Sequence, residues 1–342
     1  MKNQIHGRMN QQKNPAAGLA DAGLRLLFVA LVFVALTHPA DAQGSVQVTY
    51  MHQLSSFTSS PSFMWVNLSA DPTHDETFVT DYQNGDVVIY NKWGMETFRF
   101  GKDEGLPAPL DVAVTEEGDI YVLTSALAGG KVVRCNYRGE VEGEFRFHGV
   151  PASYSDFKAA RIFYRQGRFY LVDLDGMKMM TLDRQGNFVR GMDLADSVAS
   201  TDPDFAKRNP SEDYALDGID VDGKGDILFT ISQLFSAFIV SPDGTTRAFG
   251  TKGSAPGKFG VVKGIVSDEQ GYIYVADILR SVVLVFSPDL RFVTEFGGRG
   301  FGPGGLIGPK RMVINHDRLY VSQIRNRGVC GFRIRHDRGG GF

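Results

Sequence analysis

The 342-residue sequence has only two cysteines, Cys135 and Cys330. They form no C-x-x-C-H segment and no zinc-type Cys/His spacing, so neither covalent haem attachment nor a structural zinc site is predicted. Two isolated cysteines are expected to serve as small apolar residues inside strands. A disulfide is the alternative if the protein is exported.

No apolar run is long enough to span a membrane as a helix. The longest, LLFVALVFVAL (26–36), has eleven residues, whereas a bilayer core of ~30 Å needs roughly 20. Basic residues precede this run, and Ala40 and Ala42 follow it in a small-x-small arrangement. We therefore predict that residues 1–42 are a signal peptide cleaved after Ala42, with a retained anchor as the alternative. The mature protein is then periplasmic or extracellular and has no membrane span.

Positive charge is not in excess. Without residues 1–42 the chain has 32 Lys and Arg against 37 Asp and Glu, and it has no basic run or Arg/aromatic stripe. Nucleic acid is therefore not an expected partner.

A repeat dominates the rest of the chain. Segments that align with one another are DVAVTEEGDIYVLT (111–124), ARIFYRQGRFYLVD (160–173), GIDVDGKGDILFTI (218–231), GIVSDEQGYIYVAD (264–277), RMVINHDRLYVSQ (311–323) and a degenerate copy ending in ETFVTD (76–81). Each contains a central apolar or aromatic residue: Phe78, Tyr121, Tyr170, Leu228, Tyr274 and Tyr320, at intervals of 43, 49, 58, 46 and 46 residues.

The pattern inside each unit is that of a propeller blade. Apolar and polar residues alternate on both sides of a Gly or Asp turn, as in half-buried strands. Two more strands follow, such as SVVLVFS (281–287) and RFVTEFG (291–297), and four short strands in about 40–50 residues is the period of a blade. We predict an all-β, six-bladed β-propeller over residues 43–335, with four-stranded antiparallel blades, no sustained helix, and a flexible Gly-rich tail over 336–342.

The ends of the propeller predict how the ring closes. The last unit stops after GVCGFRIR (328–335), one strand short, while SVQVTYMH (45–52) precedes the first unit and is unassigned. We expect this N-terminal strand to complete the last blade, which removes two exposed sheet edges. The long 58-residue interval is explained by a polar insertion over 195–212.

These blocks resemble the NHL-repeat family of propellers. The likeness rests on G-I-x-x-D-x-x-G-x-I-Y-V-A-D at 264–277 and on the F-G-x-x-G-x-x-x-G linkers before units five and six, and it covers about 45–335. The asparagine that names the repeat is poorly kept: Asn84 and Asn326 are candidates, whereas Arg280 stands near that place in unit five. The resemblance implies interaction with a partner rather than catalysis.

GFGPGG (300–305) fits the G-x-G-x-x-G pattern of a dinucleotide loop. However, FGGRGFGPGGL (296–306) aligns with FGTKGSAPGKF (249–259), and Pro309 and a strand follow instead of a helix. We interpret the segment as a blade linker whose glycines permit tight passage.

DVDGKGD (220–226) has the spaced carboxylates of a calcium loop, Asp220, Asp222 and Asp226. Ile231 stands where the twelfth-position acid is needed, and the segment aligns with the hairpin SDEQG (267–271). A turn is therefore favoured over calcium.

Histidines and serines suggest no catalytic centre. After residue 42 the histidines are His52, His74, His148, His316 and His336, and none recurs at an equivalent place in successive units. Surface histidines are therefore favoured over ligands. No G-x-S-x-G segment nominates a serine nucleophile, and we predict no metal and no cofactor.

Charged residues recur on the face of the propeller that carries the blade linkers. Asp217, Lys263 and Lys310 begin inner strands, and Arg311 follows, so we expect these four to surround the mouth of the central channel. Arg299, in the neighbouring linker, is placed on the same face. Asp81, Asp173 and Asp277 end second strands and reach this face as well, although carboxylates there also cap turns.

The function predicted from this rim is non-enzymatic binding. The protein would be a monomeric scaffold of the cell envelope that presents its linker face to a protein, peptide or glycan partner. The alternative is a metal-dependent lyase or lactonase-type enzyme with its site on the propeller axis, where Asp217, Asp81, Asp173 and Asp277 would be the ligands.

Overall fold

A computed structural model describes residues 45–55, 66–126, 129–202, 204–205, 214–324 and 327–337. The predicted signal peptide, Asn326 and residues 338–342 of the predicted tail lie outside these ranges. Within them, no helix is long and apolar enough to cross a membrane.

The described strands form six antiparallel sheets of four, which confirms the predicted six-bladed propeller. The first three blades are β2 (Val66–Asp71), β3 (Glu76–Asp81), β4 (Asp86–Tyr90) and β5 (Glu96–Gly101); β6 (Pro109–Val114), β7 (Ile120–Thr124), β8 (Val132–Cys135) and β9 (Val141–Glu144); and β10 (Arg161–Arg165), β11 (Arg168–Asp173), β12 (Lys178–Leu182) and β13 (Phe188–Asp193).

The other three blades follow the same order. They are β14 (Gly218–Val221), β15 (Ile227–Ile231), β16 (Ser236–Val240) and β17 (Thr246–Phe249); β18 (Val262–Ser267), β19 (Ile273–Asp277), β20 (Val282–Phe286) and β21 (Phe292–Gly297); and β22 (Pro309–Asn315), β23 (Arg318–Gln323) and β24 (Val329–His336), completed by β1 (Val46–Gln53).

The N-terminal strand closes the ring as predicted. β1 pairs antiparallel with β24, from Val46 opposite His336 to Gln53 opposite Cys330. The backbone N–H of Asp337 donates to the carbonyl of Ser45 at 2.9 Å, so the blade extends into the region predicted as tail. Pairing both ends of the chain in one sheet covers the edges that each strand would otherwise expose.

The core consists of apolar clusters between neighbouring blades. The repeated central residues lie on the second strand of every blade, and all are buried: Phe78, Tyr121, Tyr170, Leu228, Tyr274 and Tyr320. Burial of one such side chain contributes about 1.5–3 kcal/mol relative to exposure. The repeat therefore marks the positions that hold adjacent blades together.

Two glycines of the repeat allow inner strands to approach closely. A Cβ atom at Gly218 would collide with the carbonyl oxygen of Lys263, and one at Gly264 with that of Lys310. Neither glycine is in a left-handed conformation, so close approach of the next blade is the reason for the residue type here. This packing places the backbone carbonyls of Lys263 and Lys310 against the inner strands of the preceding blades.

The structure also contains a short helix that the sequence did not predict. Helix α1 (Leu194–Thr201) starts within one residue of the predicted polar insertion, and Asp193 caps it by accepting from the backbone N–H of Ala195 at 2.9 Å. Leu194 and Val198, one turn apart, are buried in the core between blades three and four. Two apolar positions are too few to produce a recognisable helical period.

Both cysteines are free and buried, Cys135 in β8 and Cys330 in β24, which agrees with the structural role predicted for them. Burial raises the pKa of the Cys135 thiol to about 12 and that of Cys330 to about 11. Both thiols are therefore protonated and unreactive at neutral pH.

Candidate functional site at the linker-side channel mouth

Bulges in the inner strands place the basic residues of the linker-side mouth. In β18 the pairing skips between Val262 and Gly264, and in β22 it skips between Pro309 and Met312. Lys263 lies in the first bulge, and Lys310 and Arg311 lie in the second. Because bulged residues leave the regular ladder, their side chains can be turned toward the channel.

Three of the four predicted mouth residues contact one another. Lys263 Nζ forms an ion pair with Asp217 Oδ1, joining blade five to blade four. Asp217 Oδ2 accepts from the backbone N–H of Ser232 at 2.6 Å. Arg311 Nη1 donates to the backbone carbonyl of Asp217 at 2.7 Å, so its side chain extends from blade six to blade four.

Positive charge is concentrated at this mouth, because Lys263, Lys310 and Arg311 lie close enough to influence one another. Burial, together with the nearby Arg311 and Lys263, lowers the pKa of Lys310 to about 8, while Asp217 opposes the shift. Burial and the Arg161 guanidinium lower the pKa of Arg311 to about 10, while the Asp111 and Asp217 carboxylates oppose the shift. Both shifts have the direction that burial and neighbouring cations produce, and a bound anion would act in the opposite direction.

A buried ion pair lies deeper in the channel, and sequence reasoning did not find it. Arg161 Nε, at the start of β10, donates to Asp111 Oδ2 of β6 at 2.7 Å, and the backbone N–H of Ile162 donates to the same oxygen at 2.9 Å. The Asp111 side chain is fully buried and that of Arg161 is 5% exposed. In the sequence, the pair could have been suspected because Asp111 and Arg161 are opposite charges near the starts of the inner strands of neighbouring blades.

The three aspartates at second-strand ends cap loops. Asp81 Oδ1 accepts from the backbone N–H groups of Gln83 and Asn84, both at 3.1 Å. Asp173 accepts from the backbone N–H of Gly176 at 2.9 Å and of Lys158 at 3.1 Å.

Asp277 makes the largest set of these capping bonds. It accepts from the backbone N–H groups of Gly260, Val261, Leu279 and Arg280 at 2.6–3.1 Å. All three side chains are buried. Their oxygens therefore serve the loops of the linker face rather than a shared centre.

Arg299 lies in the linker between β21 and β22. Its backbone forms an isolated bridge with Leu306, and Lys252 forms the matching bridge with Phe259 in the preceding linker. Leu306 and Phe259 are both fully buried. GFGPGG is thus part of a blade linker that ends in a strand, as its alignment predicted.

The calcium-loop segment divides into two parts. Asp222 is a turn residue, as predicted, and accepts from the backbone N–H groups of Lys224 at 2.8 Å and Asp226 at 2.9 Å. Asp220 instead lies within β14, outside the turn.

Histidine positions agree only in part with the prediction. His74, His148 and His316 are exposed, whereas His52 is half-buried and His336 lies 2.9 Å from Asp268. Across the described ranges, no three His, Cys, Asp or Glu side chains gather as metal ligands would.

No protein-family model and no curated protein sequence matches the chain. Solved structures do resemble it. A protein of unknown function from Bacteroides thetaiotaomicron aligns with a TM-score of 0.58 and 10% identity over 85% of this chain and 77% of that one.

Two enzymes are also similar. A gluconolactonase from Xanthomonas campestris has a TM-score of 0.53 and 11% identity, over 85% of this chain and 90% of that one. Virginiamycin B lyase from Staphylococcus aureus has a TM-score of 0.50 and 12% identity, over 85% and 99%. At these identities the likeness shows the six-bladed propeller fold alone, because one fold carries many functions.

Proposed function

We propose that this protein is an exported, non-enzymatic scaffold of the NHL-repeat type that binds an acidic segment of a partner protein at its linker-side mouth. The observation that carries the proposal is the convergence of Lys263, Lys310 and Arg311 around Asp217, whose carboxylate pairs with Lys263 and whose backbone carbonyl accepts from Arg311. An acidic side chain or a chain-terminal carboxylate would neutralise this charge. An acidic glycan would offer the same chemistry.

Exposed apolar residues on the same face favour a protein over a glycan. Phe301, in the linker before blade six, is 77% exposed, and Leu279, in the loop after β19, is 71% exposed. The Arg327 guanidinium lies 4.9 Å from the centre of the Phe301 ring. Aromatic and arginine side chains are enriched among the residues that dominate protein interfaces.

The metal-dependent lyase or lactonase hypothesis explains less of this geometry. Its candidate ligands Asp81, Asp173 and Asp277 accept backbone N–H groups of their own loops. Its fourth candidate, Asp217, is paired with Lys263. A binding function uses the charge at the mouth and the exposed apolar residues together.

Capture of partners from an envelope extract tests the proposal. The variant combines Lys310→Met, Arg299→Met and Phe301→Ala, which removes two positive charges and one aromatic ring from the linker face. The matched control combines Lys224→Met, Arg138→Met and Tyr137→Ala, exposed residues on the other face. We expect the first variant to lose the captured protein, and the control to retain it. Loss in the control alone would place the interface on the opposite face.

Export is a separate part of the proposal. When the full chain is produced in a bacterium, we expect the protein in the periplasm or medium to begin at Gln43, because cleavage is predicted after Ala42. N-terminal sequencing checks this. An intact N-terminus in the membrane fraction would indicate a retained anchor instead.

A further inference from the structure

The other end of the channel opens into a cavity of about 530 Å³ on the face that carries the hairpins between first and second strands. All six blades contribute to its lining. Its walls are largely apolar: Ala70, Val114, Val221, Val313 and Ile314. This volume is within the range of pockets that bind small molecules, about 300–1,000 Å³.

The charge of this cavity is opposite to that of the linker-side mouth. Six carboxylates line it, against the two permanent cations Arg165 and Lys224. Arg165 is already engaged, because its Nε donates to the Val221 carbonyl at 3.0 Å and its Nη1 to the Tyr164 carbonyl at 2.9 Å. The carboxylates therefore outnumber the permanent cations by six to two, which favours a cationic ligand over an anionic one.

Asp220 is the carboxylate best placed to meet a ligand. It lines the cavity from within β14, and its side chain is 14% exposed. Its ion-pair partner, Arg165 Nη2, is 4.0 Å away, compared with 2.7 Å in the Asp111–Arg161 pair. By contrast, Asp222 caps its turn, and Asp268 accepts from Tyr274 at 2.9 Å and contacts His336.

We propose that this cavity binds an organic primary ammonium ion, with the ammonium group beside Asp220 and an apolar stem against the walls formed by Val114 and Val313. The proposal concerns the face opposite the linker-side mouth and does not depend on the function proposed there. Burial raises the pKa of Asp220 to about 6, while Arg165 and Arg161 oppose the shift and Asp222 adds to it. A bound cation would stabilise the ionised carboxylate.

Calorimetric or NMR titration of the full-length protein with 2-phenylethylamine, and with 2-phenylethanol as the uncharged counterpart, tests this proposal. At pH 7 we expect the amine to bind at least about tenfold more tightly than the alcohol. Asp220→Asn should abolish that preference, whereas Asp103→Asn, an equal charge change at an exposed residue, should preserve it. Because Asp220 titrates near pH 6, the amine affinity should fall about tenfold between pH 7 and pH 5.

A second variant keeps the test decisive if Asp220→Asn does not fold. Thr73 is exposed and lies on the rim of the cavity, so Thr73→Trp should block entry without touching Asp220. We expect amine binding to be lost in this variant. Equal binding of amine and alcohol, no binding of the amine by the wild type, or an unchanged preference in folded Asp220→Asn would each overturn the proposal.

Discussion

The two mouths of the channel are built from the same six inner strands but carry opposite charge. At the linker side, bulges in β18 and β22 present Lys263, Lys310 and Arg311. At the hairpin side, the residues that follow the inner strands are turn formers, and aspartates such as Asp222 and Asp268 cap those turns. The acidity of one mouth is thus largely a result of turn chemistry, whereas the basicity of the other is added by the bulges.

The buried Asp111–Arg161 pair lies between the two mouths. Its disruption is expected to have the largest effect on stability. We predict that Arg161→Met lowers the free energy of unfolding by about 3–5 kcal/mol, because Asp111 is left charged and buried without its partner. Urea unfolding monitored by circular dichroism measures the loss.

The double variant Asp111→Leu, Arg161→Met is the control for this prediction. Removing both charges should recover most of the lost stability, since apolar replacements of a buried ion pair are often neutral. A single variant as stable as the wild type would show that the pair does not hold blades two and three together.

At the hairpin mouth, Asp220→Asn should stabilise the protein at pH 7. The folded pKa of Asp220, about 6, exceeds the ordinary value near 3.9, so the native state holds this proton more tightly than the unfolded chain does. The contribution of the Asp220 carboxyl to the stability of the wild type is therefore highest below pH 4, and it is lost as the pH rises through 6. At pH 7 we expect the free energy of unfolding of the variant to exceed that of the wild type by about 2–3 kcal/mol. At pH 4 the two should be about equal. Urea unfolding at both pH values measures the difference. An equal gain at both would contradict the assigned titration.

At the linker mouth, the smallest expected effect is on the titration of Lys310. Reductive ¹³C-methylation followed by NMR should show this lysine titrating near pH 8. Asp217 raises the Lys310 pKa, so Asp217→Asn should lower it further, by a fraction of a unit to about one unit. An unchanged or higher value in the variant would mean that the two side chains do not interact.

Sequence periodicity predicted the fold well because each blade repeats the same alternation and the same buried residue. Phe78 in the degenerate first unit and Tyr320 in the last are buried at equivalent positions, and the unassigned N-terminal strand completed the last blade. Helix α1 was not predicted, since its two buried residues, Leu194 and Val198, do not make a pattern.

The site was predictable only in part. Lys263 and Lys310 could be located because each directly precedes a copy of the repeat. The bulges that contain them, in β18 and β22, were not predicted, because an irregularity of strand pairing leaves no mark on the alternation of residues. Asp220 was interpreted as part of a turn because the segment 220–226 aligns with the hairpin at 267–271, whereas it lies within β14. The pairing of Arg161 with Asp111 joins two blades, so it could have been inferred only by comparing the inner-strand starts of neighbouring repeats.

Charged nitroxide probes would show whether the two mouths of the channel carry opposite charge. In ¹⁵N-labelled protein, paramagnetic broadening by an anionic probe should exceed that by a cationic probe at the amides of Lys263 and Lys310. The order should reverse at Gly223 and Glu269, beside the hairpin-side cavity. Both differences should shrink at 1 M salt, where screening extends only about 3 Å. The same order of broadening at both mouths would show that the two mouths do not carry opposite charge.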